Sequence, residues 1–184
     1  TSSFSVYGKK NKLPIKEDVI LNPQNYYGIS KIFAEKQIQF YASKNNLKYI
    51  ILRFDGIYGN NQNMPGFIKM CYENMIKNKN IEIFNLGKQI RDQVYVDDAA
   101  SSIILSIKKI SSINSEIFNV AGGMPITNYL LAKILLKQLK SKSKIIKINK
   151  TNPNLSNSYL NLTKIKKILG YKPKTIDQNI KLYI

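Results

Sequence analysis

Asn25-Tyr26-Tyr27-Gly28-Ile29-Ser30-Lys31 sets two reactive side chains four residues apart at the start of a segment with helical character. Tyr27 and Lys31, at i and i+4, share one helix face. An ammonium beside a phenol favours the phenolate, and a phenol activated in this way can act as a general base. Alone, such a pair is an ordinary feature of an exposed helix. Its neighbours change the reading. Upstream lies Thr1-Ser2-Ser3-Phe4-Ser5-Val6-Tyr7-Gly8. Downstream come Leu52-Arg53-Phe54-Asp55-Gly56-Ile57-Tyr58-Gly59, Arg91-Asp92-Gln93-Val94-Tyr95-Val96-Asp97-Asp98-Ala99 and Leu169-Gly170-Tyr171-Lys172-Pro173-Lys174.

Between these blocks the pattern alternates. Residues 1–8 read as the end of a buried strand, followed by a polar loop over 9–25. A helix is expected over 30–43, from apolar positions such as Ile32, Phe33, Ile38 and Phe40. The continuous apolar run 48–54 suits a strand inside a parallel sheet. Pro65 is placed to open a helix running to about 78. Short strands are expected at 81–84, 94–96, 117–120 and 144–148. Asp97 or Asp98 is a candidate cap for a helix over 97–109, and Thr127 for one reaching about 140. A short helix over 163–169 ends at Gly170, and a last one begins at 176. Strands alternating with helices mean α/β. The Asn/Ser/Lys-rich stretch 140–158 is the candidate mobile linker.

Composition bounds the function. At 184 residues the chain is long enough for a real core. No apolar run is long enough to span a membrane, and no signal-peptide pattern occurs. The single cysteine, Cys71, excludes an internal disulfide, and the absence of histidine excludes a Cys/His zinc site. A lone thiol suits the cytoplasm. The net charge of +18 invites a nucleic-acid reading. However, the charge is carried by lysines spread along the whole length, and arginine, which base readout favours, occurs only at Arg53 and Arg91. No nucleic acid is expected as a partner. In a lysine-rich chain, two arginines inside the blocks quoted above suggest that planar, multi-donor geometry matters there.

In this order and spacing, the five blocks resemble the extended short-chain dehydrogenase/reductase family, in its branch of NAD-dependent nucleotide-sugar epimerases and dehydratases. The similarity is strongest to UDP-glucose 4-epimerase-like members. The resemblance implies the C-terminal part of a Rossmann-like parallel sheet with helices on both faces, plus a small α/β substrate-binding lobe. It divides the chain into residues 1–60, bearing the catalytic residues, and 61–184, mainly the substrate lobe, with 94–120 returning to the sheet. Neither G-x-x-G-x-x-G nor G-x-G-x-x-G occurs. The dinucleotide's pyrophosphate cradle is therefore expected outside this chain, and the isolated chain is expected to be inactive.

The resemblance also implies roles. Ser3, Tyr27 and Lys31 would be catalytic: Ser3 binds the sugar oxygen being oxidised, Tyr27 moves its proton, and Lys31 supports the phenolate and the nicotinamide ribose. Tyr27, Lys31 and Phe54 would meet NAD, with NADP left open. Ser3, Glu82, Phe84 and Arg91 would bind substrate, Arg91 at the nucleotide diphosphate and Glu82 and Phe84 at the base. No metal is implied. Members that eliminate water carry acidic residues after the catalytic hydroxyl; Phe4 and Ser5 stand there, which favours an epimerase working through a 4-keto sugar in surface polysaccharide synthesis. Gly56 stands where sugar-nucleotide members usually carry Asn. That keeps open a reductase or dehydrogenase of the same family acting on another small molecule, and an inactive truncated fragment also stays open. The helices 30–43 and 97–109 are candidates for the contact face of a homodimer.

Overall fold

A computed structural model describes residues 1–9, 12–150 and 157–184. Residues 151–156 of the expected linker lie outside the described residues. Strand β1 (Ser2–Ser3) leads into a 3-10 turn, Phe4–Val6. Then come α1 (Tyr26–Lys44), β2 (Ile50–Phe54), β3 (Ile57–Tyr58) and α2 (Phe67–Met75). They are followed by β4 (Ile81–Ile83), β5 (Ile90–Arg91), β6 (Val94–Tyr95), α3 (Val96–Lys109) and β7 (Glu116–Val120). The chain closes with β8 (Ile126–Thr127), α4 (Asn128–Gln138), β9 (Ile145–Lys147), α5 (Thr163–Leu169) and α6 (Ile176–Tyr183).

The expected α/β architecture is present. β1, β2 and β7 form a parallel sheet in the order β1-β2-β7, with Ser2 opposite Arg53 and Ser3 opposite Phe54. Successive strand residues face opposite sides of a sheet. Ile51, Leu52, Arg53 and Phe54 are all buried, so both faces of β2 are covered. This is why the apolar residues Tyr49 to Leu52 follow one another without alternation, although Lys48 and Arg53 make 48–54 less continuously apolar than expected. Short parallel pairs β3–β6 and β4–β9 and the antiparallel pair β5–β8 complete the strands.

Two apolar cores form. The first gathers Val6, Tyr7, Leu52, Phe54, Phe118 and Val120 with Leu160, Ile165, Leu169 and Tyr171. The second gathers Tyr58, Ile68, Met75, Ile81, Leu131, Leu135 and Ile180. β6 links them, with Val94 in the first and Tyr95 in the second.

Three helix starts differ from the sequence expectation. α1 begins at Tyr26, because Asn25 caps it: its side chain accepts the Gly28 N–H at 2.8 Å. Tyr27 therefore lies in the first turn. α2 begins after an extended Gly66, so Pro65 stands before the helix. Neither Asp97 nor Asp98 caps α3; Tyr95 holds that place with no side-chain bond. Asp98 is buried and accepts instead from Asn179 Nδ2 at 2.8 Å and the Lys174 N–H at 3.2 Å, tying α6 to α3. Thr127 does cap α4, accepting the Leu130 N–H at 3.3 Å, and Gly170 closes α5 at φ 72°.

Candidate active site

The site begins with the way α1 meets the turn after β1. Ser3 caps the 3-10 turn, its Oγ accepting the Ser5 N–H at 3.2 Å and donating to Ser5 Oγ at the same distance. Gly28 sits against that turn, where a Cβ would stand 2.6 Å from the Ser5 carbonyl oxygen. Only a glycine lets the helix approach so closely. The first turn of α1 is thereby brought beside Ser3.

A cavity of about 570 Å³ opens there. Ser3, Tyr27, Lys31 and Phe54 all line it. Thr1, Ser2, Phe4, Asp55, Gly56 and Ile57 and the α3 residues Val96, Ala99, Ala100 and Ile103 complete the wall. Tyr27 is 55% exposed, and among the described residues its hydroxyl has no hydrogen-bond partner. Lys31 Nζ lies 5.7 Å from the Tyr27 ring centroid and donates to the Thr1 carbonyl at 3.3 Å. The arrangement offers one free phenol, one ammonium and one anchored hydroxyl at a single mouth, a set suited to moving a proton at an alcohol oxygen.

Arg91 stands behind the Phe4 wall. Its guanidinium carbon lies 5.7 Å from the Phe4 ring centroid, and Nη1 donates to Ser158 Oγ at 3.5 Å. Burial lowers its pKa, opposed by the Asp55 charge. Glu82, in the middle of β4, and Phe84, just beyond it, are exposed and do not line the cavity. The structure thus gathers Ser3, Tyr27, Lys31 and Phe54, puts Arg91 one ring away, and leaves Glu82 and Phe84 apart from them.

Asp55, the one acidic residue of the wall, is 3% exposed and directed at backbone. Its Oδ1 accepts the Gly56 N–H at 2.7 Å and its Oδ2 the Asp92 N–H at 3.3 Å. Asp92 is 1% exposed; Oδ1 accepts the Met124 N–H at 2.9 Å, and Oδ2 has no hydrogen-bond partner among the described residues. Burial pushes the Asp92 carboxyl up to about 7, with the Asp55 charge adding to it and the Met124 and Gly123 amides and Lys166 opposing.

The α3 wall was not evident from sequence, since Val96 read as the end of a strand and Ala99 and Ile103 as ordinary helix residues. Glu35 was missed as well. It is the third member of the series 27, 31, 35 and is buried against Arg53. Burial lowers the Arg53 pKa, but its bonds to Glu35 and Tyr7 outweigh that, and the net direction is up.

A sequence profile described as the NAD dependent epimerase/dehydratase family matches residues 1–121. The chain is 30% identical over 177 residues to a putative UDP-glucose 4-epimerase of Methanocaldococcus jannaschii, covering 95% of this chain and 56% of that protein. It is 28% identical over 179 residues to a dTDP-4-dehydro-6-deoxyglucose reductase of Escherichia coli, covering 96% and 56%. The crystal structure of UDP-glucose 4-epimerase with UDP-glucose from Thermotoga maritima superposes with a TM-score of 0.90 at 30% identity, covering 99% of this chain and 60% of that one. The chain thus spans little more than half the length of the relatives it matches.

Proposed function

The chain belongs to the NAD-dependent epimerase/dehydratase family, and on that premise we propose that the protein carrying it inverts C4 of a nucleotide sugar through a 4-keto sugar. The observation that carries this reading is the convergence of Ser3, Tyr27 and Lys31 on one cavity. A UDP-hexose is the favoured substrate, since the epimerase from Thermotoga maritima, 30% identical, is described with UDP-glucose.

The residues present fit one end of NAD. Phe54, Val96 and Ile103 offer an apolar wall for a flat nicotinamide, and Lys31 has donors beyond the one given to Thr1 for a ribose hydroxyl. NADP differs from NAD at its other end and would meet the same residues. A Gly-rich pyrophosphate cradle is not among them, so by itself this chain is expected to turn over no substrate. A bound NAD would supply reversible hydride transfer at the sugar carbon.

The chain's own residues do the rest. Tyr27 takes the proton from the sugar 4-hydroxyl and later returns it. Lys31 stabilises the phenolate while the proton is away. Ser3 Oγ hydrogen-bonds the same sugar oxygen. Arg91, stacked against Phe4, holds the diphosphate, and Glu82 and Phe84 flank the base. Asp55 holds backbone with both oxygens, which leaves no carboxyl of the cavity wall free to drive loss of water. That favours epimerase over dehydratase. Exposed Phe33, Phe40 and Tyr41 on α1 and Ile104 and Ile107 on α3 support a homodimer as the assembled form.

One observation favours a second reading. Gly56 lines the cavity without a side chain to reach a sugar or phosphate, and one relative is described as a reductase. Incubating the full-length protein with UDP-glucose and NAD, and separately with a 4-keto nucleotide sugar and NAD(P)H, separates the two. Formation of the C4 epimer with no net NADH supports the epimerase, whereas stoichiometric consumption of NAD(P)H with a keto sugar supports the reductase.

A further inference from the structure

One rung of the sheet away from the cavity lies a buried ion pair. Ser3 and Phe54 are neighbours across β1 and β2 and line the cavity; the preceding rung is Ser2, which also lines it, and Arg53, which does not. Both Ser2 and Arg53 reach across to Glu35 of α1. Arg53 Nε donates to Glu35 Oε1 at 2.9 Å and Nη2 to Oε2 at 2.7 Å, and Ser2 Oγ donates to Oε1 at 2.5 Å. The guanidinium is itself fixed, since Nη1 donates to Tyr7 Oη and to the Glu17 carbonyl, each at 3.0 Å. The two charged side chains are only 3% and 4% exposed.

Such a fork has one geometry. Two parallel N–H donors meet two carboxylate oxygens and so fix direction as well as distance. Apolar packing offers α1 little comparable hold, because its fully buried residues are Gly28, Glu35 and Ala42. Two of these are the smallest residues there are, and the third is the carboxylate. Glu35 follows Lys31 by four residues and Tyr27 by eight, so the clamp and both reactive groups lie on one stripe of a stiff rod.

We propose that Glu35 is a positioning residue: held by Arg53 and Ser2, it sets the axial position of α1 and hence the placement of Tyr27 and Lys31 against Ser3. The inference rests on the epimerase reading for its effect on rate. Glu35 touches no substrate and moves no proton; it acts through the helix. Misplacement of a reacting group by about 1 Å can cost about 100-fold in rate, so a clamp of this kind is felt mainly in kcat.

The test uses the full-length protein and four variants: Glu35→Gln, Arg53→Lys, the double variant Glu35→Met with Arg53→Met, and the exposed control Lys36→Ala. Positioning predicts that kcat falls at least about tenfold in the first two, with KM for the nucleotide sugar within about threefold. Replacing both charges by apolar residues can restore stability. The double variant is therefore expected to melt near the wild type while its kcat stays low. A double variant with wild-type kcat overturns the proposal. Amide hydrogen exchange over Ile29–Ile32 gives a readout that needs no turnover: it should quicken in Glu35→Gln and not in Lys36→Ala. Unchanged exchange in Glu35→Gln overturns the clamp. Faster exchange in that variant, alongside a wild-type protein that turns over no sugar, sustains the clamp and rejects the epimerase reading.

Discussion

Gly28 and Ser5 meet backbone to backbone: a single Cβ on Gly28 would stand 2.6 Å from the Ser5 carbonyl oxygen and 2.8 Å from Pro23 Cβ. This contact is what places the first turn of α1 beside Ser3. Gly28→Ala must push the helix away. Overpacking costs about 1–3 kcal/mol, and alanine's better helix propensity returns at most about 1 kcal/mol. A lower melting temperature and at least about a tenfold loss of kcat are expected. An unchanged kcat in the folded variant would show that this approach does not set the catalytic geometry.

Arg91 lies near a ring and a hydroxyl, those of Phe4 and Ser158. It stacks near Phe4 with Asp55 in range, and its proposed task is to hold a diphosphate. Lysine keeps the charge but loses the planar fork and the stacking. Arg91→Lys should raise KM for a UDP-sugar about tenfold, which is about 1.4 kcal/mol, and leave kcat within a few-fold. Steady-state kinetics decides this, and an unaltered KM would remove Arg91 from the substrate site.

Asp92 gives a pH signature. Its folded pKa, about 7, lies well above its ordinary value of 3.8. Below about pH 4 the folded and unfolded chains both carry the proton. Between about 4 and about 7 the folded form alone retains it, so this group's contribution to stability falls as pH rises through that window and levels off above it. Asp92→Asn removes the effect. Subtracting the variant's curve of melting temperature against pH from that of the wild type should leave a downward slope between pH 4.5 and 7. Parallel curves would contradict the shift.

Much of this was legible in the sequence, and the reasons are specific. The unalternating apolar residues Tyr49 to Leu52 within 48–54 revealed a strand buried on both faces because burial removes alternation. Thr127 and Gly170 revealed helix ends because capping and left-handed backbone restrict residue choice. Tyr27 and Lys31 revealed a shared face because α-helical spacing is fixed. Asn25 was equally informative, but the two tyrosines after it obscured the start of α1. The role of Glu35 was hidden because its partner is 18 residues away on β2, and a long-range ion pair leaves no local period. The α3 wall was hidden for the same reason: only the tertiary fold brings Val96, Ala99 and Ile103 beside Phe54.

Tyr27 is the centre of the account. Its hydroxyl is free, at the cavity mouth, one helical turn from Lys31. Replacement by phenylalanine removes the proton carrier and little else, so the rate should drop by about 10²–10⁴-fold with substrate affinity nearly intact.

The most direct measurement follows UDP-glucose carrying deuterium at C4 through the full-length protein with NAD, by NMR, for the wild type and for Tyr27→Phe. The account predicts a C4 epimer that keeps its deuterium, no net NADH, and a Tyr27→Phe rate at least about 100-fold lower. Loss of the deuterium from C4, or a Tyr27→Phe variant working at near the wild-type rate, would contradict it.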